Sequence, residues 1–198
     1  MSVVWAAMLV AFFCLLRKDN IAVAKADNFN TRLNLCRKDV QVKGGDVLVT
    51  LRHTKTIQLG DRVHTVVAHG IPGHVLDVKA AVVCALEVGG VNSVQASGDD
   101  PAFAYVQNGV MVPLTHKVFV DVLKHCLSVI GVNPAKYSGH SFRRGGATFA
   151  LKRGVDPLYI KWVGDWKSNC YELYLDRCTP ESMTALPRAM AEGCSRLP

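Results

Sequence analysis

Residues 3–16 (VVWAAMLVAFFCLL) are apolar without interruption, and polar residues return only at Arg17, Lys18, Asp19 and Asn20. A helix apolar on every side is one that the fold buries. Ala22-Val23-Ala24 resembles a signal-peptidase site, but no basic residue precedes the run, and 14 residues are too few to span a bilayer. A buried core helix is therefore expected. The pattern then changes period. Val40 and Val42 alternate with polar residues, Gly44-Gly45 marks a turn, and Val47, Val49 and Leu51 alternate again, which is a hairpin pattern. A second turn at Gly60-Asp61 leads to a third strand over 63–68. Helical periodicity covers 78–88, a loop rich in Gly, Ser and Asp covers 89–101, and 103–106 reads as a short extended piece. Thr115 can cap a helix to Ile130 with apolar residues at 118, 119, 122, 123, 126 and 127. Ser138 can cap a helix to about Lys152, stopped by Gly154, and Asp156-Pro157 opens a short helix to Val163. Ser168 can cap a last helix through Asp176. The predicted class is α+β, mainly helical, with a small antiparallel three-stranded sheet.

Charge adds a direction to this picture. The net charge is +7, with ten Lys/Arg against five Asp/Glu over 1–64 and eight against four over 136–177. The middle, 65–135, has three against five, and 178–198 is balanced. Two basic segments flanking a slightly acidic centre suit a fold that closes both around a polyanion, although an ordinary solvated surface gives the same count. Seven cysteines, scattered and without a C-x-x-C pair, argue against a disulfide framework or a zinc ribbon and for reduced, mostly buried thiols in an intracellular protein. His53, His64, His69, His74, His116 and His125 form no ligand spacing, and no H-E-x-x-H is present, so no metal is expected. Trp5, Trp162 and Phe149 are expected in the core.

The chemistry concentrates near the second basic segment. His140 and Arg143 stand three residues apart near a predicted helix start, a spacing that puts both on one face. Backbone N–H groups and the helix dipole favour an anion there. Arg143 can fork onto two phosphate oxygens, and His140 can donate to one or exchange a proton. Alone, H-x-x-R is equally an ordinary surface pair.

Its surroundings are more specific. YSGHSFRRGGAT over 137–148, GDWKS over 164–168 and YELY over 171–174 resemble, in order and spacing, the C-terminal half of the tyrosine recombinase (phage integrase) family. The variant is most similar to recombinases of eukaryotic mobile elements, such as Cryptons and retrotransposons that carry a tyrosine recombinase. The resemblance implies an arginine after an apolar helix, where Arg17 stands, and a lysine in a β-hairpin turn, where Lys55 stands. It implies that Tyr174 attacks the scissile phosphate to give a 3′-phosphotyrosyl link and a free 5′-hydroxyl. Arg17 and Arg143 would hold non-bridging oxygens, Lys55 would protonate the leaving oxygen, and His140 would assist proton transfer. The implied partners are double-stranded DNA and further copies of the chain on it, with no cofactor, nucleotide, metal or membrane. The implied compartment is intracellular, the nucleus in a eukaryote.

Some positions depart from the family pattern. The His or Trp that stands nine before the nucleophile corresponds to Asp165, with Trp166 at eight. Trp166 is preferred because an indole N–H can donate to phosphate, whereas a carboxylate repels it. Asn20 replaces an acidic residue often found three after the first arginine, and Tyr171 is a rival nucleophile three before Tyr174. Arg144, Lys167 and His53 are candidate DNA contacts. Residues 1–177 are expected to be the catalytic domain and 178–198 a tail, with the N-terminal core-binding domain that clamps DNA absent. Two other functions share much of this set: a mobile-element remnant that binds DNA without cutting it, and a type IB topoisomerase. A secreted protein cleaved after residue 24 would lose Arg17.

Overall fold

The apolar run folds as α1 (Ser2–Phe13), buried along almost its whole length. It is the central strut of the fold in a computed structural model that describes residues 2–57, 62–88 and 96–168. No helix among the described residues is long and apolar enough to cross a membrane. A short helix α2 (Lys18–Ile21) follows, then β1 (Val40–Lys43), β2 (Asp46–Leu51) and β3 (His64–His69) in an antiparallel sheet of order β1-β2-β3. Register pairs Val40 with Val49 and Leu51 with His64. The period-2 pattern sends Val47, Val49, Leu51, Val66 and Ala68 to one face. Helix α3 (Val78–Val88) packs against both α1 and this sheet, and the shared core includes Val78, Val82 and Ala85.

A second hairpin, β4 (Ala104–Gln107) and β5 (Val110–Pro113), turns at Asn108-Gly109. Both turn residues have positive φ, 53° and 76°, as the tight type I′ connection requires. Helix α4 (His116–Val129) begins as expected, with Thr115 Oγ1 accepting the Val118 N–H at 3.3 Å. Helix α5 (Ser141–Lys152) begins later than expected. Its N-cap is His140, while Ser138 Oγ accepts the His140 N–H in the turn before it. Helix α6 (Pro157–Val163) opens on Asp156, whose carboxylate accepts from the Leu158 and Tyr159 N–H groups.

The four helix exits explain how the site is built. After α4 and α5 the chain turns through Gly131 (φ 74°) and Gly154 (φ 81°), with the paired i−3 and i−5 hydrogen bonds of a Schellman motif. The same bonds close α1 and α6, but there the left-handed residues are Leu15 and Asp165, both at φ 53°. A side chain in that conformation costs roughly 1–2 kcal/mol, and such positions persist where the surroundings over-determine them. Both exits meet α5. A Cβ on Gly146 would stand 2.2 Å from the Phe12 carbonyl oxygen, so the Gly145-Gly146 pair lets α5 approach the backbone of α1. Gly146→Ala is therefore expected to cost about 2–3 kcal/mol through forced separation of the helices. Urea unfolding followed by circular dichroism measures it, and a loss below 1 kcal/mol would refute the account.

Three aromatic positions correct the sequence reading. Trp5, Trp162 and Phe149 are exposed, the last two by about half. Helix α5 buries Arg143, Gly146 and Ala147, which follow one helical stripe, and Phe149 falls off it. Trp162 stacks on Tyr159 at 5.7 Å and meets His64 edge-on. Cysteines also divide: Cys14 and Cys36 are buried, but Cys84 and Cys126 are exposed. Burial pushes the Cys14 thiol up to about 12.

Candidate active site

Arg17 leaves the α1 exit as the N-cap of α2, half-buried, with its backbone N–H donating to Asn20 Oδ1 at 3.1 Å. Asn20 thus closes the turn that presents Arg17. Beside it, Lys18 and Asp19 form an ion pair at 2.5 Å. His116 places Nε2 2.9 Å from the Ala22 carbonyl oxygen and Nδ1 3.4 Å from Lys18 Nζ, the arrangement of a neutral ring protonated on Nε2. Burial, then the Lys18 charge, hold the His116 pKa below its ordinary value. Burial works to raise the Asp19 carboxyl, but Lys18 and the two histidines His116 and His140 outweigh it and lower the pKa.

His140 and Arg143 do not share an environment. His140 is exposed at the cap position, while Arg143 lies one turn on and is 2% exposed. Gly139 seats this turn against Lys18, whose side chain a Cβ would strike at 2.6 Å. The Arg143 guanidinium donates through Nη1 to the Leu15 carbonyl at 2.6 Å and through Nη2 to the Gly164 carbonyl at 2.5 Å. Its Cζ lies over the Trp166 ring, 3.7 Å from the ring centre. A cation is thereby set at the C-terminal ends of α1 and α6 together, where carbonyls without a partner inside the helix and the dipoles favour positive charge. Trp166 is buried beneath it. The Gly-x-Trp motif has a steric cause, since a Cβ on Gly164 would lie 1.8 Å from the folded-back indole.

Lys55 is exposed on a tight turn in which Thr54 and Ile57 exchange backbone hydrogen bonds at 2.9 and 3.2 Å. Thr54 Oγ1 also accepts the N–H groups of Thr56 and Ile57, both at 3.1 Å. The turn and the Arg17 segment meet across an open cleft of about 340 Å³, whose walls include Asp19, Asn20, His53, Thr54, Lys55 and His116. On another part of the surface, exposed Arg144 joins Lys136 and Lys152 around a depression of about 510 Å³, and Lys167 is exposed beyond α6. Tyr174, Tyr171 and the helix expected after Ser168 lie outside the described residues.

Asp165 has a position of its own. Its carboxylate accepts from the hydroxyls of Thr54 (3.3 Å) and Thr56 and from Arg62 Nη2 (2.5 Å). Burial works to raise its pKa, but the hydrogen bonds from Thr56 and Arg62 prevail and lower it from 3.8. The native state therefore binds this proton less tightly than the unfolded chain. Its contribution to stability is complete above pH 3.8 and is lost as pH falls through the lower folded value. The stability gap between wild type and Asp165→Asn, measured by urea unfolding, is expected to be wide at about pH 6 and narrower at about pH 3. An unchanged gap would show that the carboxylate charge contributes nothing.

No family model and no curated protein matches the chain. Among solved structures, it is similar to XerH site-specific recombinase bound to palindromic difH substrate in a post-cleavage complex, at 16% identity and TM-score 0.61, over 91% of this chain and 44% of that one. A pre-cleavage complex of XerH gives 15% and 0.60, over 91% and 45%. The Tn1549 transposon integrase in complex with circular intermediate DNA gives 16% and 0.54, over 91% and 55%. The chain thus spans about half the length of these proteins. At such identities the likeness shows the fold, and this is the tyrosine recombinase catalytic fold, a small antiparallel sheet set among helices.

Proposed function

We propose that this chain breaks and rejoins DNA strands in site-specific recombination or integration, with Tyr174 as nucleophile, as do the recombinases of eukaryotic mobile elements that its motifs resemble. The observation that carries the reading is the meeting, on a fold shared with DNA-bound recombinases, of the segments that bear the motif residues: the α1 exit, the Lys55 turn, the start of α5 and the Gly164–Trp166 turn. In this reaction Tyr174 Oη bonds to the scissile phosphorus, and its proton is lost with help from His140. The bond to the 5′-oxygen breaks, and Lys55 supplies that oxygen with a proton. The phosphodiester energy stays in the phosphotyrosyl link, so a second strand's hydroxyl can reverse the step without ATP. Arg17 and Arg143 offset charge on the non-bridging oxygens, and Arg144, Lys167 and His53 contact the backbone of the duplex. Several copies assemble on DNA, since exchange requires more than one cut.

One observation favours a second reading, binding without cutting: both terminal nitrogens of Arg143 are bonded to backbone carbonyls. Incubation with a nicked suicide substrate, whose cut releases a short fragment, separates the two. The expected result is a covalent adduct that peptide mass mapping assigns to Tyr174. Salt-dependent binding with no adduct selects the second reading.

A further inference from the structure

We propose that Asp165 is a positioning residue that fixes the Lys55 turn relative to Arg143, an inference that rests on the function proposed above. Lys55 stands between two threonines, and the Asp165 carboxylate takes a hydroxyl hydrogen bond from each of them. Thr54 is almost fully buried, and its own Oγ1 braces the turn from inside through the N–H groups of Thr56 and Ile57. The second carboxylate oxygen binds Arg62, which precedes β3 by two residues. One side chain therefore ties both ends of the excursion between β2 and β3.

The backbone around Asp165 gives this tie a second end. Gly164 offers its carbonyl to Arg143, and Trp166 stacks beneath the same guanidinium. Three consecutive residues thus set the arginine on one side and the lysine-bearing turn on the other. Asp165 adopts the left-handed conformation at a helix exit where α4 and α5 use glycine. The carboxylate thus stands at a point whose backbone conformation suits glycine better. The β3 side is held as well, because His64 Nε2 lies 3.0 Å from the Val163 carbonyl oxygen at the end of α6.

A general acid on an exposed turn works only if its ammonium meets the leaving oxygen, and a misplacement of about 1 Å can cost on the order of 100-fold. Asp165→Gly is the direct test, because glycine accepts the backbone conformation while the side chain that carries the carboxylate is removed. Asp165→Asn keeps an oxygen acceptor for the threonine hydroxyls and is the conservative control. Two substrates are compared, an ordinary nicked duplex and one whose scissile 5′-bridging oxygen is replaced by sulfur. A thiolate leaves without a proton, so it bypasses the acid.

Asp165→Gly is expected to slow adduct formation about 10- to 100-fold on the oxygen substrate and to approach wild type on the sulfur one. Asp165→Asn should lie between the two on oxygen. Amide hydrogen exchange at Thr56 and Ile57 should accelerate in Asp165→Gly without DNA. Equal losses on both substrates, or unchanged exchange at the turn, would overturn the positioning role. A wild-type chain that forms no adduct on either substrate would instead overturn the function on which it rests.

Discussion

Arg143→Ala is expected to destabilise the fold by about 4 kcal/mol. The Leu15 and Gly164 carbonyls each lose a charged donor in a buried setting, and an unsatisfied buried acceptor costs roughly 1–3 kcal/mol. Trp166 loses the cation that covers its ring. With domain stabilities of about 5–15 kcal/mol, the variant would stand close to unfolding. Arg143→Lys should recover only part of the loss, because one ammonium cannot reproduce a planar fork set between two carbonyls. Urea unfolding by circular dichroism measures both. A loss under about 1 kcal/mol would mean that the bracing is incidental. Arg17 supplies the contrast. Among the described residues its guanidinium makes no hydrogen bond or ion pair, so Arg17→Ala should leave stability within about 0.5 kcal/mol. The two arginines, equivalent in the motif, therefore separate by their effect on folding.

That separation marks where the sequence is legible and where it stops. The three strands, Thr115 as a cap, Gly154 as a stop and Asp156-Pro157 as a start all follow from local pattern, because each depends on residues within one turn or one strand of itself. The β4–β5 hairpin carries a local signal too, since Asn108-Gly109 stands between two short extended runs. The expectation of a single extended piece over 103–106 omits its second strand, Val110–Pro113. Arg143 is different in kind. Its partners are backbone carbonyls 128 and 21 residues away, and a carbonyl carries no residue identity for a motif to display. The same is true of the left-handed turns at Leu15 and Asp165, which neither residue type announces. The sequence argues against Asp165 because a carboxylate repels phosphate. That argument excludes phosphate but says nothing of hydroxyl donors, and these lie 109 and 111 residues away. The packing of the Trp166 ring under Arg143 is equally non-local, and the Gly-x-Trp spacing alone does not display it.

Tyr174→Phe is expected to abolish the covalent adduct altogether, the largest effect on activity of any single replacement in the chain. The other residues of the proposed site stabilise a reaction whose bond is made elsewhere. Removing one fixed donor such as Arg17 slows it by about 100- to 1,000-fold, and removing an acid such as Lys55 by about 100- to 10,000-fold, but some adduct still accumulates. Removing the oxygen that bonds to phosphorus leaves nothing to accumulate. Phenylalanine keeps the ring, so folding and DNA binding should match wild type in unfolding and salt-titration measurements. Tyr171 is the internal control. It lies three residues before Tyr174, on the same side of the helix expected after Ser168, so Tyr171→Phe disturbs the same neighbourhood without removing the nucleophile and should leave the adduct at its wild-type level. The reverse outcome, with the adduct lost in Tyr171→Phe and kept in Tyr174→Phe, would move the nucleophile by one helical turn. It would also leave only four residues between Trp166 and the nucleophile, too few to preserve the motif spacing on which the assignment to Tyr174 depends.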